Sequence, residues 1–170
     1  MACLSPFAQA LLVAGLLAPP LASSTAAEDL ARLRQELARQ TDPAQRATLT
    51  VKLGEELLRQ AAKMYEEGAY TDGDLLLDEY RQAIRAAHLG LRQSGRDARS
   101  HPKGFKQLEI HLRKSRRRLE DLARVVPFEN RPPLEEAMTE IETVRTELLE
   151  ALMKVDRKAA SPEPERKQQP

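Results

Sequence analysis

The most conspicuous chemistry in the sequence is cationic. Arg113-Lys114-Ser115-Arg116-Arg117-Arg118 places five positive charges in six residues. Between Arg96 and Arg118, nine Lys and Arg residues stand against Asp97 and Glu109, an excess of seven. Such a run could bind an anionic polymer, lipid headgroups or nucleic acid. A second reading keeps the charge inside the protein. From Phe128 to Glu150, seven glutamates (Glu129, Glu135, Glu136, Glu140, Glu142, Glu147 and Glu150) outnumber Arg131 and Arg145 by five. If the two segments are arms of one hairpin, their charges pair across it and set its register, as flanking charges do in coiled coils. Each exposed pair is worth only about 0–1 kcal/mol, so the effect is on specificity. Pairing is the first expectation. Arg113, Lys114, Arg116, Arg117 and Arg118 are the candidates for an anionic surface if it fails. No aromatic residue is interleaved with the run, which argues against nucleic acid as the partner.

Other chemistries find less to stand on. His88, His101 and His111 are not spaced at i, i+3 or i+4, and none lies in a Cys/His/Asp cluster, so no zinc site is expected. Asp72-Gly73-Asp74, with Asp78 and Glu79, lacks the order of a calcium-binding EF-hand loop. Helix N-capping accounts for those acids. There is no Glu-x-x-His of the kind that builds metal centres in bundles, because Glu109 and His111 are two apart. Gly-rich phosphate loops, Gly-x-Ser-x-Gly and haem Cys-x-x-Cys-His are absent from the sequence. Cys3 is the only cysteine, and Met64 reads as core filling. The expectation is a protein without catalysis, cofactor or metal.

The elements that must carry these residues are helices. Of 170 residues, 31% are charged and only 4% aromatic, a composition suited to long helices with narrow apolar seams. Phe105, Leu112, Leu119 and Val126 recur every seven residues, with Leu108, Ser115 and Leu122 between them. Leu134, Ile141, Leu148 and Val155 repeat the pattern, with Met138, Arg145 and Leu152 between. Val126-Pro127-Phe128-Glu129-Asn130-Arg131-Pro132-Pro133 forms the corner. Arg145 interrupts its seam, so its charge should reach the rim or a seam-edge carboxylate. The alternative is a polar contact with Ser115.

Upstream, Asp42 is an N-cap for a helix from Pro43 to about Glu67, with Gln45 at the capping-box position. Gly54 on its apolar face predicts close approach of a neighbouring helix, and Gly68 a stop. Thr71 is the expected N-cap of the next helix, which runs to about Asp97 on Leu77, Ile84 and Leu91, with Gly73, Tyr80 and Ala87 interleaved. Leu30, Leu33 and Leu37 make a short leading helix with Glu28 and Asp29 in its first turn. The expected architecture is all-α: two antiparallel hairpins, 43–98 and 101–157, forming a four-helix-bundle-like domain within 28–158. Short connections should place sequence neighbours side by side. The Pro-rich segment 159–170 should be a disordered tail.

Leu57-x3-Ala61-x2-Met64-x3-Gly68-x-Tyr70-x2-Gly73-x3-Leu77 resembles one tetratricopeptide repeat, over about 34 residues. Tyr80 departs from the small residue that family carries in its second helix. No second copy follows, and such solenoids stack three or more. The resemblance implies a hairpin suited to protein–protein contact, with Tyr65, Tyr70 and Tyr80 as partner-facing candidates. Phe128 is a fourth, as the one large apolar residue in the polar corner; it either staples the next helix or anchors a partner.

The N-terminus has an apolar run from Phe7 to Ala18, then Pro19-Pro20 and the small residues of 22–27. That order is the pattern of a signal peptide over 1–27, with cleavage near Ala22 or Ala26–Ala27. The expected protein is exported, periplasmic or secreted, and binds another protein or serves as a scaffold. Peripheral attachment to an anionic membrane or polymer is the alternative, and a metal-binding bundle a remote one.

Overall fold

Asp42 starts the first long helix as its place before Pro43 predicts. Its side chain accepts the Gln45 backbone N–H at 2.9 Å, and Pro43 fills the first helical position. At the other end, Gly68 takes φ +76°, the left-handed conformation that glycine adopts without strain. The Ala69 N–H then reaches the Met64 carbonyl at 2.8 Å and the Gly68 N–H that of Tyr65 at 3.2 Å, closing the helix. The computed structural model describes residues 24–153. They form α1 (Ser24–Arg39), α2 (Pro43–Glu66), α3 (Tyr70–Gln93), α4 (Lys103–Val125), a 3-10 turn (Phe128–Asn130) and α5 (Pro132–Met153). Among the described residues there is no strand: the chain is all-α. Most of the expected signal peptide (1–27), the end of the second hairpin including Val155, and the expected tail (159–170) lie outside the described residues.

Three boundaries differ from expectation. α1 opens at Ser24, so Glu28 and Asp29 fall beyond its first turn. The Ala69 carbonyl accepts the Gly73 N–H at 3.0 Å, which starts α3 at Tyr70 and puts Thr71 inside the first turn instead of at the cap. α3 stops at Gln93, where Ser94 donates its hydroxyl to the Leu91 carbonyl at 2.7 Å and Gly95 turns the chain with φ +66°.

The two hairpins stack. α2 lies antiparallel to α3, and α4 antiparallel to α5. Thr48 donates to Gln107 at 2.5 Å and Gly104 sits against Ala44, so α2 and α4 run side by side and parallel. Arg81 meets Glu140 and Arg92 meets Glu147, each at 2.8 Å, so α3 and α5 are also parallel neighbours. α3 and α4 are therefore diagonal, although consecutive in sequence. The nine-residue connection 94–102 is long enough to cross one end of the bundle, which the expectation of adjacent neighbours did not allow for. α1 rests on α2 and ties to α3 through Arg34 and Glu79 at 2.6 Å.

The α4 seam is buried as its repeat predicts, from Phe105 through Ser115 to Val126. α5 is rotated from its expected register. Leu134, Ile141 and Leu148 are buried, but Ala137 and Val144 complete the face, while Met138 and Leu152 sit at its edge. A slot for Arg145 in the seam would take a guanidinium out of water, and the small apolar Ala137 and Val144 lie one step round the helix.

Candidate functional site

A helix turning 100° per residue cannot present Arg113–Arg118 as one patch. Arg116 turns towards α5, 3.0 Å from Glu142 and 3.0 Å from Glu120. Lys114 and Arg118 turn the other way and line a cleft with α1 and α2. Arg113 and Arg117 are exposed, on the line of exposed Lys103 and Lys106. Among the described residues, no carboxylate pairs with Lys103, Lys106, Arg113, Lys114, Arg117 or Arg118.

Three of the α5 glutamates do not neutralise this face because α3 takes them. Glu140 lies 2.8 Å from Arg81 and 2.6 Å from Arg85; Glu136 lies 3.4 Å from Arg81; Glu147 lies 2.8 Å from Arg92. His88 is 3.6 Å from Glu147, but burial lowers its pKa more than the carboxylate raises it, so Arg92 supplies the charge. The expected pairing of a basic arm with an acidic arm is thus corrected. Glu136, Glu140 and Glu147 share the α3 side of α5, and Glu142 is the one that pairs with the basic run, through Arg116, among the described residues.

Arg145 finds a seam-edge carboxylate. Its Nε donates to Glu109 Oε1 at 3.0 Å, and its Nη1 to Glu142 at 3.2 Å. The Glu109 side chain is only 11% exposed, so this is a largely buried ion pair joining α4 to α5. Ser115, the alternative contact, instead faces His111 Nε2 at 3.3 Å.

That His111–Ser115 pair belongs to a buried polar cluster. A Cβ on Gly54 of α2 would come within 2.8 Å of His111 Nε2 and 2.9 Å of Tyr80 Cε2, so the glycine makes room for both rings. Their centroids are 5.8 Å apart. Burial first, then the charges of Arg118 and Lys114, push the His111 imidazole down to about 4. The Tyr80 hydroxyl is buried beside Ser115 without a hydrogen bond of good geometry, and burial raises its pKa. His111 and Ser115 also form the floor of the cleft of about 540 Å³ between α1, α2 and α4. In the sequence Ser115 is one position of the α4 seam and His111 one of three scattered histidines; Gly54, which predicts close approach of a neighbouring helix, is the signal for this place, and two side-chain rings fill it.

The four partner-facing candidates are not brought together. Tyr65 is buried, its hydroxyl donating to Asp74, and burial with that bond raises its pKa. Tyr80 is fully buried, so neither ring is open to a partner. Tyr70 is half-buried with its ring centroid 6.1 Å from that of Tyr65. A tyrosine-lined groove is corrected to a core contact: α3 starts two residues early and packs Gly73 against the Tyr65 ring. Phe128 makes no staple. The 3-10 turn leaves it 79% exposed, near Val125 at 74%, while Val126 takes the buried place at the corner.

Among the described residues no group of three His, Cys, Asp or Glu side chains could hold a metal ion, and no helix is long and apolar enough to cross a membrane. No protein-family model, curated protein or solved structure matches the chain. The class that the fold defines is a four-helix bundle of two stacked hairpins with an edge helix.

Proposed function

We propose that this is an exported, non-catalytic bundle that attaches peripherally to anionic lipid surfaces through the outer face of α4. One observation carries the reading: Lys103, Lys106, Arg113 and Arg117, on one line of α4, have no carboxylate partner among the described residues. They extend along about 22 Å of helix at 1.5 Å per residue. Unneutralised cations in a row attract an anionic leaflet at about 1 kcal/mol each. The exposed Val125 and Phe128 at the end of that row favour a lipid surface over an acidic polymer, since they can enter the headgroup layer. The apolar run and small residues of 1–27, in the order of a signal peptide, support a surface outside the cytoplasm. Burial of Tyr65 and Tyr80 weighs against the protein–protein reading that the tyrosines had favoured.

Sedimentation with vesicles tests the proposal. Binding to phosphatidylglycerol vesicles should exceed binding to phosphatidylcholine and fall steeply as salt rises above about 0.1 M, where the Debye length is about 10 Å. Arg113→Glu with Arg117→Glu should abolish it, and Phe128→Ala should weaken it while preserving its salt dependence. Absence of binding at low ionic strength, or equal binding to both lipids, overturns the proposal.

A further inference from the structure

The cleft between α1, α2 and α4 has a different character from the outer face of α4. At about 540 Å³ it falls within the size range of small-molecule sites. Its lining carries five cations and three carboxylates, an excess of two positive charges. Two of those cations are already held. Arg32 lies 2.9 Å from Asp29, and Arg59 lies 2.5 Å from Glu56. Lys52 of α2 and Lys114 and Arg118 of α4 have no such partner among the described residues. Because α2 and α4 run parallel, their cations enter the cleft from two sides.

The floor adds hydrogen-bonding capacity that the protein itself does not use up. Ser115 touches His111 Nε2 at 3.3 Å, a long contact. Beside it, the buried Tyr80 hydroxyl lacks a partner. A buried hydroxyl without an acceptor is unfavourable, and native structures seldom leave one so. A hydroxyl donates once and can accept twice. With the His111 proton on Nε2, Ser115 Oγ accepts from His111 and has a second lone pair for Tyr80, which leaves its own proton for a ligand oxygen in the cleft. A ligand that suits this arrangement presents several acceptor oxygens and close to two negative charges. A phosphate monoester has both at neutral pH.

We infer that this cleft binds a phosphoryl group, held by Lys52, Lys114 and Arg118 over the Ser115 hydroxyl. The group belongs either to a small soluble monoester or to a lipid headgroup. The inference does not rest on attachment to a lipid surface: Lys52 is on α2, away from the outer face of α4.

The test uses the full chain, isotopically labelled, with inorganic phosphate and glycerol phosphate as probes and the His111 ring and Ser115 amide signals as readout. Both probes should shift those signals saturably, and Lys52→Ala should weaken binding about tenfold. The same variant should leave salt-dependent attachment to phosphatidylglycerol vesicles unchanged, so this inference and the surface proposal can fail separately. Vesicles bearing phosphatidic acid that displace glycerol phosphate identify a headgroup as the source; soluble probes that bind without such displacement identify a soluble monoester. No saturable shift overturns the inference. So does an equal response to succinate at matched ionic strength, or an unchanged affinity in Lys52→Ala.

Discussion

His111 shows how a single residue can be tolerated in a place its chemistry resists. It sits in the core because Gly54 leaves the space, and it stays neutral there because burial and the neighbouring Arg118 and Lys114 oppose its protonation. Tyr80 faces it from α3, and Lys52, Glu55, Glu56 and Arg59 of α2 and Asp29 and Arg32 of α1 share its cleft. The consequence for stability has a definite sign. Unfolded, the imidazole titrates near its ordinary value of about 6.5; folded, it titrates at about 4. Above pH 6.5 both states are neutral and the group contributes no pH dependence. As pH falls through that window the unfolded state takes up the proton first, so stability declines until pH 4 is passed. The full loss is about 3 kcal/mol. Denaturant unfolding of the wild type and His111→Gln from pH 7.5 to 4 checks this, since titrations common to both cancel in the difference. The wild type should lose about 3 kcal/mol more than the variant over that range. Parallel losses would show that His111 is not buried in its neutral form.

Helices are the scale at which the sequence was most readable. Sevenfold spacing placed the α4 seam correctly from Phe105 to Val126, because every residue on that stripe is apolar or small. In α5 the same rule marked the right leucines and the wrong intermediates. Two stripes one step apart, Ala137/Val144 and Met138/Arg145, compete to flank Ile141, and periodicity alone favours the bulkier one. Desolvation of Arg145 decides the matter, and the cost appears only when its partner Glu109 is known. Caps were legible where a side chain makes them, as at Asp42, and illegible where backbone alone does, as at Ala69. Leu119 lies on the α4 seam and Ile141 on the part of the α5 stripe common to both registers, and both are buried. Leu119→Ala and Ile141→Ala should each reduce unfolding free energy by about 2–5 kcal/mol through cavity formation. Losses below about 0.5 kcal/mol in both, by equilibrium denaturation, would mean that neither helix buries this face.

At the scale of the whole molecule, the sign of a charge run says little until the neighbours are known. Composition and heptads pointed to two hairpins, but not to which face of one meets which face of the other. Crossing the end of the bundle with residues 94–102 puts α5 between α3 and α4, and the arginines of α3 then compete with those of α4 for its glutamates. Arg81 and Arg85 prevail at Glu140, and the outer cations of α4 are left for something else. This competition makes opposite stability predictions for the two arrangements. In the stacked bundle, Glu140→Lys sets a cation against Arg81 and Arg85 at a site where the glutamate is only 19% exposed. It should destabilise the fold by about 2 kcal/mol, more than the roughly 0–1 kcal/mol of an exposed pair. Arg81→Glu in the same chain should recover part of that loss. Arg113→Glu with Arg117→Glu removes no partner and should change stability by less than about 0.5 kcal/mol. If the basic arm of α4 were instead neutralised by the acidic arm of α5, the arginine reversal would be the damaging one and Arg81→Glu would rescue nothing. Equilibrium unfolding of these variants at low salt therefore distinguishes a basic face that holds the hairpin together from one that is free to bind.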